Sequence, residues 1–257
     1  MESTPGSVSA GSEMGALSRL VNVFFAPAKT FESVARKRGW DWLAPLAILI
    51  ALSIAGALVV SPKLDVDDAV RSQMQRMDKV RPGMTDTERA KTEEAIRGSM
   101  TGMTRGPFRF LGVGFVLIPL FLVPLFYHGI AAAWGKSTSY LSVVAGYAYV
   151  QMVQAVKGIL MIAVAAPRKT IGVLEIESLL KSNLGAFMDP ETAGRPLYSL
   201  ASNVDIFEIW AIVVGAIALS RITRLSPKGA AFTVAGLWGV WVAVKLIGAV
   251  IGAAFGG

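Results

Sequence analysis

The chain has 257 residues, 53% of them hydrophobic and 17% charged, with 25 basic against 18 acidic side chains for a net charge of +7. Soluble domains carry about 25% charged residues, so this composition excludes an ordinary water-soluble globule. The basic residues are scattered rather than gathered into a stripe interleaved with aromatics, which excludes a nucleic-acid interface. With no cysteine and one histidine, His128, the chain has nothing for a disulfide, a thiolate metal site, a Cys nucleophile or a His-based metal centre.

Residues 1–14 are small and polar and carry no signal-peptide pattern. They read as a disordered tail, and 15–257 reads as one membrane domain. Leu17, Leu20, Val21, Phe24 and Phe25 then recur at i, i+3, i+4, i+7 and i+8, the spacing of one helical face. Pro27 suits the first turn of a second short helix, on which Phe31, Val34 and Ala35 continue the apolar side. Arg36, Lys37 and Arg38 follow, then Trp40 and Trp42. This fits an amphipathic helix lying in the membrane interface with an aromatic belt before the first span. It fits a helix packed on the end of a bundle equally well.

Five apolar stretches follow, at about 43–60, 110–134, 141–166, 204–219 and 230–254. Each is near the length a helix needs to cross a ~30 Å hydrocarbon core at about 1.5 Å per residue. Between the first two lies a polar excursion, 61–107, with nine basic and eight acidic residues. Val66, Val70, Met74 and Met77 predict one helical stripe there, and Thr85 with Glu88 predicts a capping box opening a second helix. Pro119 and Pro124 predict a kink or broken turn in the second span. After the turn Gly135–Ser139 and the third span comes a second excursion, 167–203. Ile171, Leu174, Leu180 and Leu184 suggest an amphipathic helix in it, and Asp189-Pro190 a turn. Asn203 reads as the N-cap of the fourth span, with Asp205 in its first turn. Gly248, Gly252 and Gly256 are four apart in the last helix, a small-residue pattern for close packing inside the bundle or between copies. The fold class is therefore all-α: a polytopic bundle of five transmembrane helices, an interfacial N-terminal helix and two extramembrane helical excursions.

Basic residues beside the spans orient the bundle. Arg36–Arg38 and the link carrying Arg221, Arg224 and Lys228 favour a cytoplasmic N-terminus and an external C-terminus. Both excursions then lie outside, in a cell membrane of bacterial inner-membrane type. Charges within or near the spans are Lys157, Asp205, Glu208 and Lys245, with His128 in the second span. In this orientation the lysines sit about nine residues, and Glu208 about four, from the outer ends of their helices. A Lys157–Glu208 or Lys245–Glu208 contact is in reach, with Asp205 as a second carboxylate. Such residues mark an ion or proton pathway, or else a structural ion pair and snorkelling side chains. His128, beside Tyr127, reads as a hydrogen-bonded interface residue. No Ser-His-Asp set, phosphate-cradling glycine loop or HExxH pattern occurs. No catalysis, cofactor or metal is expected.

Three stretches carry a family likeness. Phe24-Phe25-Ala26-Pro27-Ala28-Lys29-Thr30-Phe31-Glu32 resembles the opening of the Yip domain family, named for Ypt/Rab-interacting membrane proteins. Trp134–Tyr140 with Gly146-Tyr147-Ala148-Tyr149 is similar to its short loop and third span. Asp205-Ile206-Phe207-Glu208-Ile209-Trp210 is similar to its fourth-span opening. The resemblance covers nearly the whole chain and implies a five-span fold with a cytoplasmic N-terminus. In eukaryotic members it also implies binding of Rab-type GTPases and a part in vesicle traffic. This chain departs from them in lacking a long N-terminal region and an Asp-Leu-Tyr-Gly-Pro stretch, which puts GTPase binding in doubt. It looks like the bacterial branch, sometimes tied to export systems. The expected function is non-enzymatic binding or organisation of partner membrane proteins, in the bilayer and without nucleic acid. The alternative is a small transporter or channel using Lys157, Glu208 and Lys245. The sequence leaves the oligomeric state open.

Overall fold

Apolar side chains alone would tolerate several structures in lipid, but the backbone would not. Without water to pair its N–H and C=O groups, a spanning segment closes its hydrogen bonds within a helix. The computed structural model describes residues 14–36, 40, 42–136, 138–172 and 175–254. Residues 1–13, Lys37, Arg38, Leu174 and Gly256 lie outside the described residues, and with them the expectations of a disordered tail and a full basic cluster. Five helices are long and apolar enough to cross a membrane: Leu43–Lys63, Pro107–Ala133, Tyr140–Ala165, Ile206–Thr223 and Pro227–Ile251. Their ends differ by only a few residues from the apolar stretches.

The elements in chain order are α1 (Ala16–Phe25), α2 (Pro27–Arg36), α3 (Leu43–Val59), α4 (Val66–Val80), α5 (Asp86–Arg105), α6 (Leu111–Ala133), α7 (Tyr140–Val150), α8 (Met152–Ala165), the short α9 (Pro190–Ala193), α10 (Arg195–Asn203), α11 (Ile206–Thr223) and α12 (Pro227–Ala254). Two expectations about the spans are corrected. Of the kink or broken turn expected in the second span, the broken turn does not occur: α6 runs unbroken through Pro119 and Pro124. The third span is interrupted instead, at Gln151, whose ψ of -8° departs from the helical value and divides it into α7 and α8. Gly146 allows α7 to come close to α11; a Cβ there would stand 2.2 Å from Ile222 Cδ1.

The first excursion folds as a helical hairpin. Asp65 caps α4, accepting from the Asp68 amide at 3.0 Å. The capping box of α5 forms as the spacing predicts, with the Thr85 amide donating to Glu88 at 2.9 Å and the Glu88 amide donating to Thr85 Oγ1 at 3.3 Å. Val70 and Met74 are buried in the seam. The ion pairs Arg89–Asp78 and Arg97–Asp67 cross it. Exposed pairs of this kind contribute about 0–1 kcal/mol each, so the apolar seam carries more of the hairpin.

The second excursion differs from its prediction. No helix forms over 171–184 among the described residues. There are 3-10 turns at Ile176–Ser178 and Leu184–Phe187, and helix only later, in the short α9 and in α10. The reason is that Ile171 pairs with another segment. It forms a parallel bridge with Leu64, its amide donating to Lys63 O at 2.8 Å while its carbonyl accepts from the Asp65 amide at 2.9 Å. Lys63 Nζ also donates to the carbonyls of Ala165 at 3.2 Å, Arg168 at 2.9 Å and Ala166, satisfying oxygens that the end of α8 leaves unpaired. Both excursions thus meet at one end of the bundle. The links Trp134–Ser139 and Arg224–Ser226 lie at the other.

The N-terminal pair forms an antiparallel hairpin bent at Ala26. Arg19 Nε donates to Ser33 Oγ at 3.1 Å across it. The hairpin runs along α11 rather than across its end. Glu32 pairs with Arg221 at 2.9 Å, and Phe24 meets the Trp210 ring with centroids 5.5 Å apart. Those two contacts are separated by about 16 Å of α11. Val23, Phe31 and Val34 are buried in the main core with Tyr149, Val153 and Val214, and Leu20 and Phe24 pack against it. Leu17, Val21 and Phe25 face outward. The predicted apolar face therefore divides between the bundle and its surroundings, because a wide apolar arc can serve both.

Candidate functional site

Near the end that carries the excursions, four elements bring their polar groups together. Asp205 stands at the N-cap of α11 in extended geometry, its Oδ1 accepting from the Phe207 amide at 2.8 Å. A carboxylate here complements the positive end of the helix dipole. Its other oxygen accepts from Lys157 Nζ of α8 at 2.9 Å and from Ser182 Oγ at 2.6 Å. Asp205 is 1% exposed while Lys157 is 27% exposed, so the pair is buried at its acidic end and half-open at its basic end. The second excursion is clasped onto the same spot. Asn183 bridges Asp205 antiparallel, with the Ile206 amide donating to Ser182 O and the Leu184 amide to Val204 O, each at 3.1 Å. Gly185 eases this approach, since a Cβ there would press on the Ser202 hydroxyl and lie 3.1 Å from the Ser202 backbone nitrogen.

The other predicted charges take different partners. Glu208 Oε1 accepts from Gln154 Nε2 at 3.0 Å, one helical turn before Lys157. Lys245 Nζ of α12 donates to Asn203 Oδ1 at 2.7 Å. Neither lysine forms an ion pair with Glu208 among the described residues. Asn203 is corrected as well: it ends α10, and the cap of the fourth span is Asp205. Sequence reasoning missed Ser182, Gln154 and Asn203 as partners. Gln154 carried a signal, because it precedes Lys157 by three residues and shares its face. His128 lies away from the cluster, its ring 6.0 Å from that of Tyr140. No group of three or more His, Asp or Glu side chains suited to a metal occurs among the described residues.

Beside the cluster lies a cavity of about 1010 Å³, bounded by α3, α6, α7, α8, α11 and α12. Leu52, Phe115, Val116, Ala211, Trp238 and Trp241 represent its mostly apolar walls. Tyr147, Gln151, Gln154 and Glu208 form its polar seam. α6 and α12 come together through Ala131, Ala230 and Val234 at the short-link end. Toward the other end, Phe115 and Ile118 of α6 and Val240 and Trp241 of α12 are exposed, and the gap between those helices opens sideways.

Five apolar spans, a docked N-terminal hairpin and clasped excursions define a multi-pass integral membrane protein. The chain belongs to the Yip1 domain family, whose family model matches residues 21–249. It is similar to a protein named membrane protein YknW from Bacillus subtilis, 25% identical over 239 residues that make up 92% of each chain. No solved structure matches it.

Proposed function

We propose that this protein is a non-enzymatic component of the cell membrane that binds or organises partner membrane proteins, as an accessory to export or membrane traffic. Its N-terminus is cytoplasmic, its C-terminus external, and both excursions face outward. The observation that carries this reading is the α4–α5 hairpin. It is a charged, water-facing helix pair held by its own seam and anchored at its roots, with outward side chains such as Lys91 and Glu94 that serve no internal contact. A transport reading rests on Lys157, Glu208 and Lys245. The engagement of the lysines with Asp205 and Asn203 supports structural roles for them.

Affinity purification of the full chain in mild detergent is expected to recover a stoichiometric membrane-protein partner. Reversing the outer charges with Lys91→Glu and Glu94→Lys is expected to lose it without reducing expression. Repeated recovery of the protein alone counts against the proposal. Ion flux in reconstituted vesicles that vanishes in Lys157→Ala or Glu208→Ala would replace it with transport.

A further inference from the structure

The cavity has a shape and a polarity that the partner-binding reading does not use. On α11 its lining runs from Glu208 to Ile222, about 21 Å at the rise of an α-helix. That exceeds the depth of one leaflet, about 15 Å. Its one charged side chain, Glu208, sits at one end, the hydroxyls of Tyr127 and Tyr147 lie toward the other, and the slot opens sideways between α6 and α12, where lipid stands. A slot of this volume, mostly apolar with a few placed polar groups, has the makeup of a ligand site. Its occupant needs a long apolar body, a route in from the side, and a head that meets Glu208.

The charge at the head decides between lipids. Glu208 accepts from the Gln154 amide and forms no ion pair among the described residues. The neighbouring Lys157 pairs with Asp205 at 2.9 Å, and Lys245 donates to the neutral Asn203 amide at 2.7 Å, so both ammonium groups act on Glu208 through space and neither contacts it. The slot therefore offers a carboxylate that no cation contacts directly among the described residues, level with the headgroups at the excursion end. A carboxylate in a site shielded from water pairs best with an N–H-donating cation. A lipid bearing only negative charge would meet repulsion there instead. We propose that the slot is a binding site for one membrane phospholipid with a primary-amine headgroup. The ammonium bonds Glu208, and an acyl chain runs along Ala211, Gly215 and Trp238 toward Ile222. The occupant enters between α6 and α12. A partner's transmembrane helix is the competing occupant, and it would not discriminate between headgroups.

The test uses the purified full chain, with dioleoyl phosphatidylethanolamine or dioleoyl phosphatidylglycerol added back after delipidation and retained lipid counted by native mass spectrometry. One phosphatidylethanolamine is expected to be retained about tenfold better than phosphatidylglycerol, the size of one hydrogen bond to a charged group. Glu208→Gln keeps the shape and the Gln154 neighbour, and it is expected to abolish the preference while leaving thermal unfolding near wild type. Gly158 lines the slot, and a Cβ there meets nothing within 4 Å. Gly158→Leu is therefore expected to exclude both lipids. Equal retention of the two lipids by the wild type overturns the proposal, as does a preference that survives Glu208→Gln. If Gly158→Leu fails to fold, Glu208→Gln decides alone.

Discussion

At the scale of single residues, the Lys157–Asp205 pair is asymmetric, and its substitutions should be too. Asp205 is 1% exposed and Lys157 27% exposed. Lys157→Met strands a buried carboxylate, a change in the class that costs about 3–5 kcal/mol. Asp205→Asn keeps an oxygen to cap α11 and turns an N–H group toward Ser182 Oγ, which can accept from it. It leaves an ammonium that can turn toward water, so its cost should be nearer about 1–2 kcal/mol. Joining the two substitutions should recover part of the larger loss, because no buried charge then remains unmatched. Thermal unfolding in detergent measures all three, and equal losses for the two single variants would contradict the asymmetry. The sequence showed that these charges gather near one end but mispaired them. Helical spacing gives depth along an axis. It does not give rotation about it, so Glu208 and Asp205 looked equally close to Lys157. The choice fell to Asp205 because Ser182 and the Phe207 amide were waiting there, and Ser182 lies in a segment whose path the pattern misread.

At the scale of elements, the α4–α5 hairpin should respond to acid. Hydrogen bonds from the Thr85 amide and then the Thr85 hydroxyl hold Glu88 below its ordinary value of 4.5. The hydrogen bond and charge of Arg97 hold Asp67 below its ordinary 3.8. Groups with lowered folded values stabilise the hairpin fully above their unfolded values, and they lose that contribution as pH falls through the folded ones. Helicity in 66–105 should hold at neutral pH and decline once pH drops below about 4. Hydrogen exchange on that segment measures it. In Thr85→Ala the Glu88 component should disappear, and an unchanged acid profile in that variant would refute its source. The N-terminal hairpin offers a second check. Phe31 is fully buried, and Phe31→Ala should cost about 3–5 kcal/mol. The loss should appear first as faster exchange across 16–36. The sequence made the five spans and the capping box legible, because length, hydropathy and cap spacing are local quantities. The docking of α1 and α2 was not legible, since an apolar arc does not say whether lipid or protein covers it. In the small-residue pattern of α12, Gly248 has no neighbour within 4 Å of where a Cβ would stand, and the surroundings of Gly252 and Gly256 lie outside the described residues.

At the scale of the whole molecule, five crossings and one shared bridge put 61–107 and 166–205 on the same side. Which side this is follows from the proposed orientation. The chain has no cysteine, so single replacements report without a background. Ser99→Cys on α5 should react with a membrane-impermeant maleimide in intact cells. Lys228→Cys at the start of α12 should react only after permeabilisation. The reversed pattern would invert the orientation, and labelling of both in intact cells would break the five-span plan.

The N-terminal hairpin has one more consequence, which lies in time. Its partner Arg221 follows Glu32 by 189 residues. A ribosome adding about 5–20 residues per second needs roughly ten to forty seconds to supply that partner. Through that interval the hairpin has at most the α7 and α8 side of its berth, and the fourth span completes it. The hairpin is thus among the last parts to settle, and a nascent protein stalled before that span would carry it half-docked as the mark of its incompleteness.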